Sequence, residues 1–365
     1  MPDAIWIDRC EELPPLARTL ESHPSIGVDT EFLRERTFFP KLCLLQLAAG
    51  NDVWCVDTLR VGGLGPLVPA LTAAASRKVM HSARQDLEAL YLSVKRVISP
   101  VFDTQIAAGC IGLKPQIGYA DLVKTLLDVT LPKGQTRTDW SKRPLTPEQL
   151  EYAADDVLYL AELAHRLSER LRALGREEWV LQDCLALEDA RLYEPDPQQA
   201  WKRLRGLNQL PPAPRARARV LAVWREKLAR ERDLPRGWII ADAAIFKLAE
   251  LNPTTLAALG AVQSVPANLN GAIAESLLEA LRGGAGPLAA EQQPAEGSRP
   301  TAEQKALIER LSGLVDARAA ELRVSAEILA PRGEIKALAM GQRDSQALNG
   351  WRLKEIGEKL LEAVD

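Results

Sequence analysis

The segment GVDTEF, residues 27–32, constrains this chain more than any other. Ile26, Val28 and Phe32 give it the character of a β-strand, yet Asp29 and Glu31 sit inside it. Strand residues two apart point to the same face, so two carboxylates are aimed together out of an apolar segment. Like charges brought together away from water repel and lose hydration. A fold that accepts them must supply cations: arginines near in sequence, such as Arg34 or Arg36, or metal ions.

The surrounding sequence places this strand in a mixed sheet. KLCLLQLAAG at 41–50 and DVWCVDTL at 52–59 are strand-like and meet at a Gly50-Asn51 turn, which predicts an antiparallel meander. KVMHSA, 78–83, reads as a strand leading into the helical QDLEALYLSV. VFDTQIAAG, 101–109, reads as a short strand or helix start. A long helical pattern begins at Thr146, with Thr146 as N-cap, Pro147 at the first helical position and Gln149 three residues after the cap, and runs to about Leu174. Beyond about residue 197 only amphipathic helices are predicted. GGAGPLAAEQQPAEGSRP, 283–300, has linker composition and divides them into two modules. These form a weak repeat: 229–249 aligns with 319–339, and AESLLEAL at 274–281 with GEKLLEAV at 357–364. Each module is expected to bury its own core, so cutting the linker is expected to leave a folded nuclease.

Further acids have routes to the strand. Asp86 lies just inside the helix after KVMHSA, where a carboxylate also suits the helix N-terminus. In EYAADDVLYL, Tyr152 and Asp156 are four apart and share a helix face. The apolar stripe of that helix runs through Leu150, Ala153, Val157, Leu160 and Ala164; at about 100° per residue Asp156 flanks it, and Asp155 is expected to face solvent. Asp29, Glu31, Asp86 and Asp156 form an all-oxygen set suited to Mg²⁺ or Mn²⁺ rather than zinc. Two such ions are the usual arrangement for in-line displacement at a phosphodiester, one acidifying the attacking water and one stabilising the leaving 3′ oxygen. His81, at a strand end, is expected to make a structural hydrogen bond.

These motifs resemble those of ribonuclease D, in the DEDD superfamily of 3′→5′ exonucleases, in its tyrosine-containing form. GVDTEF is similar to the first exonuclease motif, HSARQDLEAL to the second and EYAADD to the third. RTFFPKLCLLQLA, VFDTQIAA and TRTDWSKRPLTPEQLEYAA are also similar to the family's connecting blocks. The resemblance covers nearly the whole chain. It implies an α/β, ribonuclease H-like core with a mixed sheet at 1–195. Two small all-α HRDC-like domains follow, at 205–283 and 301–365, with a linker at 284–300. Carried onto this sequence, it makes Asp29, Glu31, Asp86 and Asp156 the metal-binding acids of a catalytic set. Tyr152 becomes the residue that orients the attacking water. It implies hydrolysis of the 3′-terminal phosphodiester of tRNA precursors and other small structured RNAs, releasing nucleoside 5′-monophosphates, with no organic cofactor. The alternatives are a proofreading-type DNA 3′→5′ exonuclease and a non-catalytic RNA-binding scaffold; the latter is expected to have lost an acid.

Charge suggests where RNA binds. The chain has a formal net charge of -3, but residues 201–250 hold twelve Lys/Arg and five acids, 12 − 5 = +7. Residues 301–365 hold ten and eleven, 10 − 11 = −1. Arg215, Arg217, Arg219 and Lys227 are the candidate phosphate contacts, and Trp140 a candidate base-stacking surface, set against a packing role in its loop. Arg137, Lys142 and Arg143 are further candidates for phosphate. Trp201, Trp224 and Trp238, at helical spacing, are expected in the core. The five cysteines show no CxxC spacing and read as free thiols. No signal-peptide pattern or membrane-length apolar run occurs, so a cytoplasmic protein without membrane contact is expected.

Overall fold

A computed structural model describes residues 4–132, 138–263, 269, 271–283 and 300–364. Its contacts divide the chain into two units, one of Met1–Leu33, Leu42–Tyr193 and Pro300–Asp365, the other of Arg34–Lys41 and Glu194–Arg299.

The first unit is built on a six-stranded mixed sheet. Its strands are β1 (Ile5–Ile7), β2 (Ser25–Leu33), β3 (Lys41–Ala49), β4 (Asp52–Val56), β5 (Arg77–Met80) and β6 (Val101–Asp103), in the order β1-β4-β3-β2-β5-β6. β3 and β4 are antiparallel around Gly50, whose φ of 61° suits a tight turn. β1 is parallel to β4, and β2, β5 and β6 are mutually parallel. Only the three-residue β1 was not foreseen; it is too short to show a period. β2 lies inside the sheet, and its alternation decides the two faces. Ile26 and Val28 enter one core with Leu13, Leu16 and Leu20 of the helix Leu13–Glu21. Gly27, Asp29 and Glu31 turn to the other face.

That other face is covered by the helix beginning at Thr146. Its start is as the sequence predicts, with Thr146 and Gln149 forming a reciprocal capping box. Its length is not. The pattern that reads as one helix is two, Pro147–Leu158 and Leu160–Leu174. At the break, the Tyr119 hydroxyl donates to the Asp155 carbonyl (2.9 Å) and accepts from the Tyr159 amide (3.3 Å). It stands where the direct Tyr159-to-Asp155 helical hydrogen bond would be, and a side chain inserted into the ladder is a recognised cause of a break.

Residues 300–364 belong to this same unit, against the expectation of a separately cored module. Leu311, Val315, Leu329 and Trp351 share one apolar cluster with Val157, Leu160, Leu167 and Trp179. The Trp179 and Trp351 rings stack at 4.0 Å and 9°. Asp183 accepts from Nη1 and Nη2 of Arg352 (2.6 and 2.8 Å) and from Trp351 Nε1 (3.1 Å).

The second unit is helical, with its own core of Leu221, Ile240, Ile245, Leu248, Leu277 and neighbours. Its course parallels that of 300–364. Pro212–Arg232 and Ala302–Leu322 are both 21-residue helices, ending on the left-handed residues Asp233 and Arg323. Four-residue helices follow, Arg236–Ile239 and Ala326–Leu329, then Asp242–Leu251 and Arg332–Ala339. The aligned pairs Ile239/Leu329, Ile245/Ile335, Leu248/Leu338 and Leu277/Leu360 are all buried. Within this unit Asp233 accepts the backbone amides of Phe38 and Phe39 (3.0 Å each). Among the described residues no helix is long and apolar enough to cross a membrane. The proposed linker at 284–300 lies outside the described residues except for Pro300.

Candidate active site

The site forms where β2 meets the helix Pro147–Leu158. Gly27 permits the approach: a Cβ there would lie 3.0 Å from the Val157 carbonyl oxygen and 3.3 Å from Ala48 Cβ. With the helix backbone this close, oxygens of Asp29, Glu31 and Asp156 lie within 4.8 Å of one another. Asp86, in the first turn of the helix Arg84–Val94, is the fourth acid. It stands beside this trio, acting electrostatically on Asp29, while its Oδ1 accepts from the Thr30 hydroxyl (2.5 Å). Thr30 was not singled out from the sequence, because it points to the face opposite the two motif acids.

Electrostatics here is what crowded carboxylates must produce. Burial, then Asp86, Asp156 and Glu31, hold the Asp29 carboxyl well above the usual range. Glu31 is pushed up to about 8 by burial and by Asp156 and Asp86. Burial also raises Asp86 to about 7, opposed by its hydrogen bond from Thr30, and Asp156 to about 7, opposed by the Tyr152 hydroxyl. Three carboxylates, with no imidazole or thiol in the cluster, fit a hard divalent ion.

Tyr152 is half-buried, its ring tilted against Trp140 at 6.1 Å and its hydroxyl turned toward Asp156. Burial and the surrounding acids raise its pKa, so it remains a neutral phenol. His81 makes the hydrogen bonds expected of it, to the Thr104 hydroxyl (2.8 Å) and the Ile117 carbonyl (3.0 Å). Asp155 requires a correction: it is 5% exposed rather than solvent-facing. Its helix is covered on more than one side, a fact that the wheel of a single stripe omits. Tyr119, which breaks the helix three residues after Asp156, carried no signal as a lone tyrosine in QIGYAD.

The predicted nucleic-acid residues fare differently. Trp140 is 3% exposed, packed with Cys43, Leu44, Cys55 and Leu145, and has no ring face free for a base. Arg215 donates to the carbonyls of Asn208 and Leu210, and Arg217 to that of Ala249 (2.6 Å). Arg219 lies over the Trp201 ring at 4.3 Å. All three are partly buried and make contacts within their own module, Arg217 through Nε alone and Arg219 through the indole, which favours structural roles for them over the phosphate contacts expected. Arg225, Arg230 and Arg236 are similarly engaged, the last two on the buried Glu226. Lys227 is exposed, as are Lys202, Arg205, Arg232 and Lys247. Trp238 is 53% exposed, whereas Trp201 and Trp224 join the module's core. Arg143 is also internal, while Arg137 lies outside the described residues. Four of the five free cysteines are buried and Cys10 is exposed.

A mixed-sheet core presenting a strand-borne Asp-x-Glu pair to two helical aspartates defines the class of metal-dependent 3′→5′ exonucleases. Residues 4–172 match the 3′-5′ exonuclease family and residues 215–281 the HRDC domain. The chain belongs to the ribonuclease D family and is a 3′→5′ exoribonuclease. It is 37% identical over 349 residues to ribonuclease D of Sphingobium indicum, covering 94% of this chain and 89% of that one. To ribonuclease D of Xanthomonas oryzae pv. oryzae it is 36% identical, covering 95% and 94%. The crystal structure of Escherichia coli RNase D, described as an exoribonuclease involved in structured RNA processing, superposes with a TM-score of 0.87. That match has 28% identity and covers 100% of this chain and 99% of the other. The catalytic core of RRP6 from Trypanosoma brucei superposes at 0.60 with 25% identity, over 77% and 79%. The fold implies use of a divalent metal, and the substrate class is RNA.

Proposed function

We propose that this exoribonuclease belongs to the tyrosine-containing subgroup and removes 3′-terminal nucleotides from tRNA precursors and other small structured RNAs in the cytoplasm, releasing nucleoside 5′-monophosphates. The observation that carries this reading is the convergence of Asp29, Glu31 and Asp156 within 4.8 Å, with the Tyr152 hydroxyl turned toward them. Asp29, Glu31, Asp86 and Asp156 would hold two divalent ions, Mg²⁺ or Mn²⁺. When bound, the ions supply a nucleophile at neutral pH and charge stabilisation for the leaving oxygen. The chain's own contribution is positional. The strand fixes Asp29 and Glu31 side by side, Thr30 steadies Asp86, and Tyr152 orients the attacking water by donating or accepting a hydrogen bond. Its raised pKa makes it an orienter rather than a base.

The helical segment 301–364 is proposed as a second HRDC-like domain, on the helix-by-helix parallel with 212–283. Domain boundaries at 1–195, 205–283 and 301–365 are kept as the evolutionary units. The exposed bases of the first helical module, including Lys227, are the proposed phosphate contacts. Preference for RNA over DNA is tested with 3′-labelled RNA and matching DNA incubated with Mg²⁺, Mn²⁺ or EDTA. Nucleoside 5′-monophosphates are expected from the RNA, with no release in EDTA. Equal or faster cleavage of DNA would favour the proofreading-type alternative, and no release in any condition the scaffold.

A further inference from the structure

The loop preceding the Pro147–Leu158 helix contains a guanidinium with no capacity left for substrate. Arg143 Nε and Nη2 donate to the two carboxylate oxygens of Asp57 (2.6 and 2.7 Å). Nη1 donates to the carbonyls of Trp140 and Lys142 (2.8 Å each), and Nη2 also to that of Cys43 (2.9 Å). These five bonds account for all five N–H donors that an arginine possesses. The Asp57 side chain is 0% and that of Arg143 13% exposed. One residue thereby ties β3 (through Cys43), the residue following β4 (Asp57) and the loop at 140–142. The loop's flanks are fastened separately, by Gln149 Nε2 donating to the Thr138 hydroxyl (2.9 Å) and by the Thr146 capping box.

What this arrangement fixes is Trp140. Its carbonyl is held by Arg143, and its indole is the wall against which the Tyr152 ring leans, 6.1 Å between centroids at 32°. The other end of that phenol reaches Asp156. A phenol directs its hydroxyl only as well as its ring is held, because χ1 and χ2 are its only heavy-atom freedoms.

We propose that Arg143 is a positioning residue for hydrolysis: its fork-shaped bond to Asp57 locks the Trp140 loop, and Trp140 holds the Tyr152 ring so that its hydroxyl stays at the acidic cluster. The proposal rests on the reading of Tyr152 as the water-orienting residue, and it excludes Arg143 as a phosphate contact. Lysine keeps the charge but cannot make the bidentate bond, and its three N–H donors cannot replace all five. Trp140→Phe keeps an apolar ring while narrowing the wall.

The test is a double-mutant cycle on a short RNA oligonucleotide under single-turnover conditions, with kcat and KM measured alongside. Arg143→Lys is expected to lower kcat about tenfold through misplacement of the hydroxyl, with KM changed less than about twofold and the metal dependence of the rate unchanged. In a Tyr152→Phe background the same substitution is expected to cost nearly nothing, since the group it positions is gone. Equal costs of Arg143→Lys in both backgrounds, or a raised KM with kcat intact, overturn the proposal. If Tyr152→Phe alone leaves the chemical step unchanged, the reading of Tyr152 itself fails, a result distinct from either. Thermal melting checks that each variant folds. If Arg143→Lys does not fold, Trp140→Phe carries the same cycle, and equal costs or no effect there would likewise overturn the proposal.

Discussion

Tyr152 joins two properties that a single substitution separates, a ring packed on Trp140 and a hydroxyl facing the acidic cluster. Tyr152→Phe keeps the first and removes the second. We expect it to lower single-turnover rates by roughly 10²-fold, with metal affinity and melting temperature close to wild type. Asp29→Ala removes a carboxylate at the centre of the cluster and is expected to abolish hydrolysis while the protein stays folded; near-wild-type activity would refute the metal-site assignment. The acids also predict a pH response. Raised carboxyl pKa values mean that, without metal, the native site holds protons between about pH 4 and 8 that the unfolded chain releases. These groups therefore stabilise the metal-free protein most below about pH 4, and that contribution is lost as pH rises through 7 to 8. Metal binding must expel the protons, so Mg²⁺ affinity should rise from pH 6 to 8. Calorimetry at pH 7 in buffers of different ionisation enthalpy should show proton release, and Glu31→Gln should reduce it. Affinity independent of pH over that range would contradict the burial argument.

At the scale of elements, the approach of β2 to its covering helix is set by Gly27. A methyl group there meets a carbonyl oxygen at 3.0 Å and leaves the helix to move by a few tenths of an ångström. Gly27→Ala is therefore expected to cost about 1–3 kcal/mol of stability and to reduce activity more than the equally buried Ala153→Gly, which creates space instead of removing it. Comparable activity of the two variants would show that strand-to-helix spacing does not tune the site. The break at Tyr159 belongs to the same scale. Asp156 lies in the last turn before it, where the Tyr119 hydroxyl has replaced the direct helical hydrogen bond.

For the whole molecule, the decisive feature is that 300–364 completes the apolar core of the catalytic unit. A chain ending in the 283–300 segment would expose Trp179 and leave Asp183 without Arg352. We expect such a truncation to lower the melting temperature by roughly 10 °C or more and to lose activity with it. A gentler probe is Gly112→Ala. Gly112 has φ 91°, and a Cβ there would collide with the Arg323 carbonyl oxygen. In the helical unit, Ala at Arg215, Arg217 and Arg219 together is expected to destabilise the fold before it alters binding. Neutralising the exposed Lys227, Arg205 and Lys247 should instead weaken binding to single-stranded RNA. Its log–log salt slope should flatten by about 0.7 for each phosphate that is no longer neutralised. Measuring melting and salt dependence on both triple variants separates the two roles.

Local covalent geometry was enough to read much of this protein from its sequence. The two-residue strand period puts Asp29 beside Glu31, the helical i to i+4 spacing puts Tyr152 beside Asp156, and Thr146 with Gln149 marks a helix start. Each relation holds within a few residues and survives in any fold that keeps the element. Relations between distant segments were decided only by tertiary structure. Asp155 is buried because its helix is covered on more than one side, and one apparent helix is two because a tyrosine from 40 residues earlier enters its hydrogen-bond ladder. The densest basic cluster is partly drawn into its own module, where its guanidiniums reach carbonyls and an indole. Net charge counts side chains before it is known which of their donors the fold consumes. Periodicity likewise marks an apolar face without naming what will cover it, which is why the last helical segment read as a free-standing module and is part of the catalytic core.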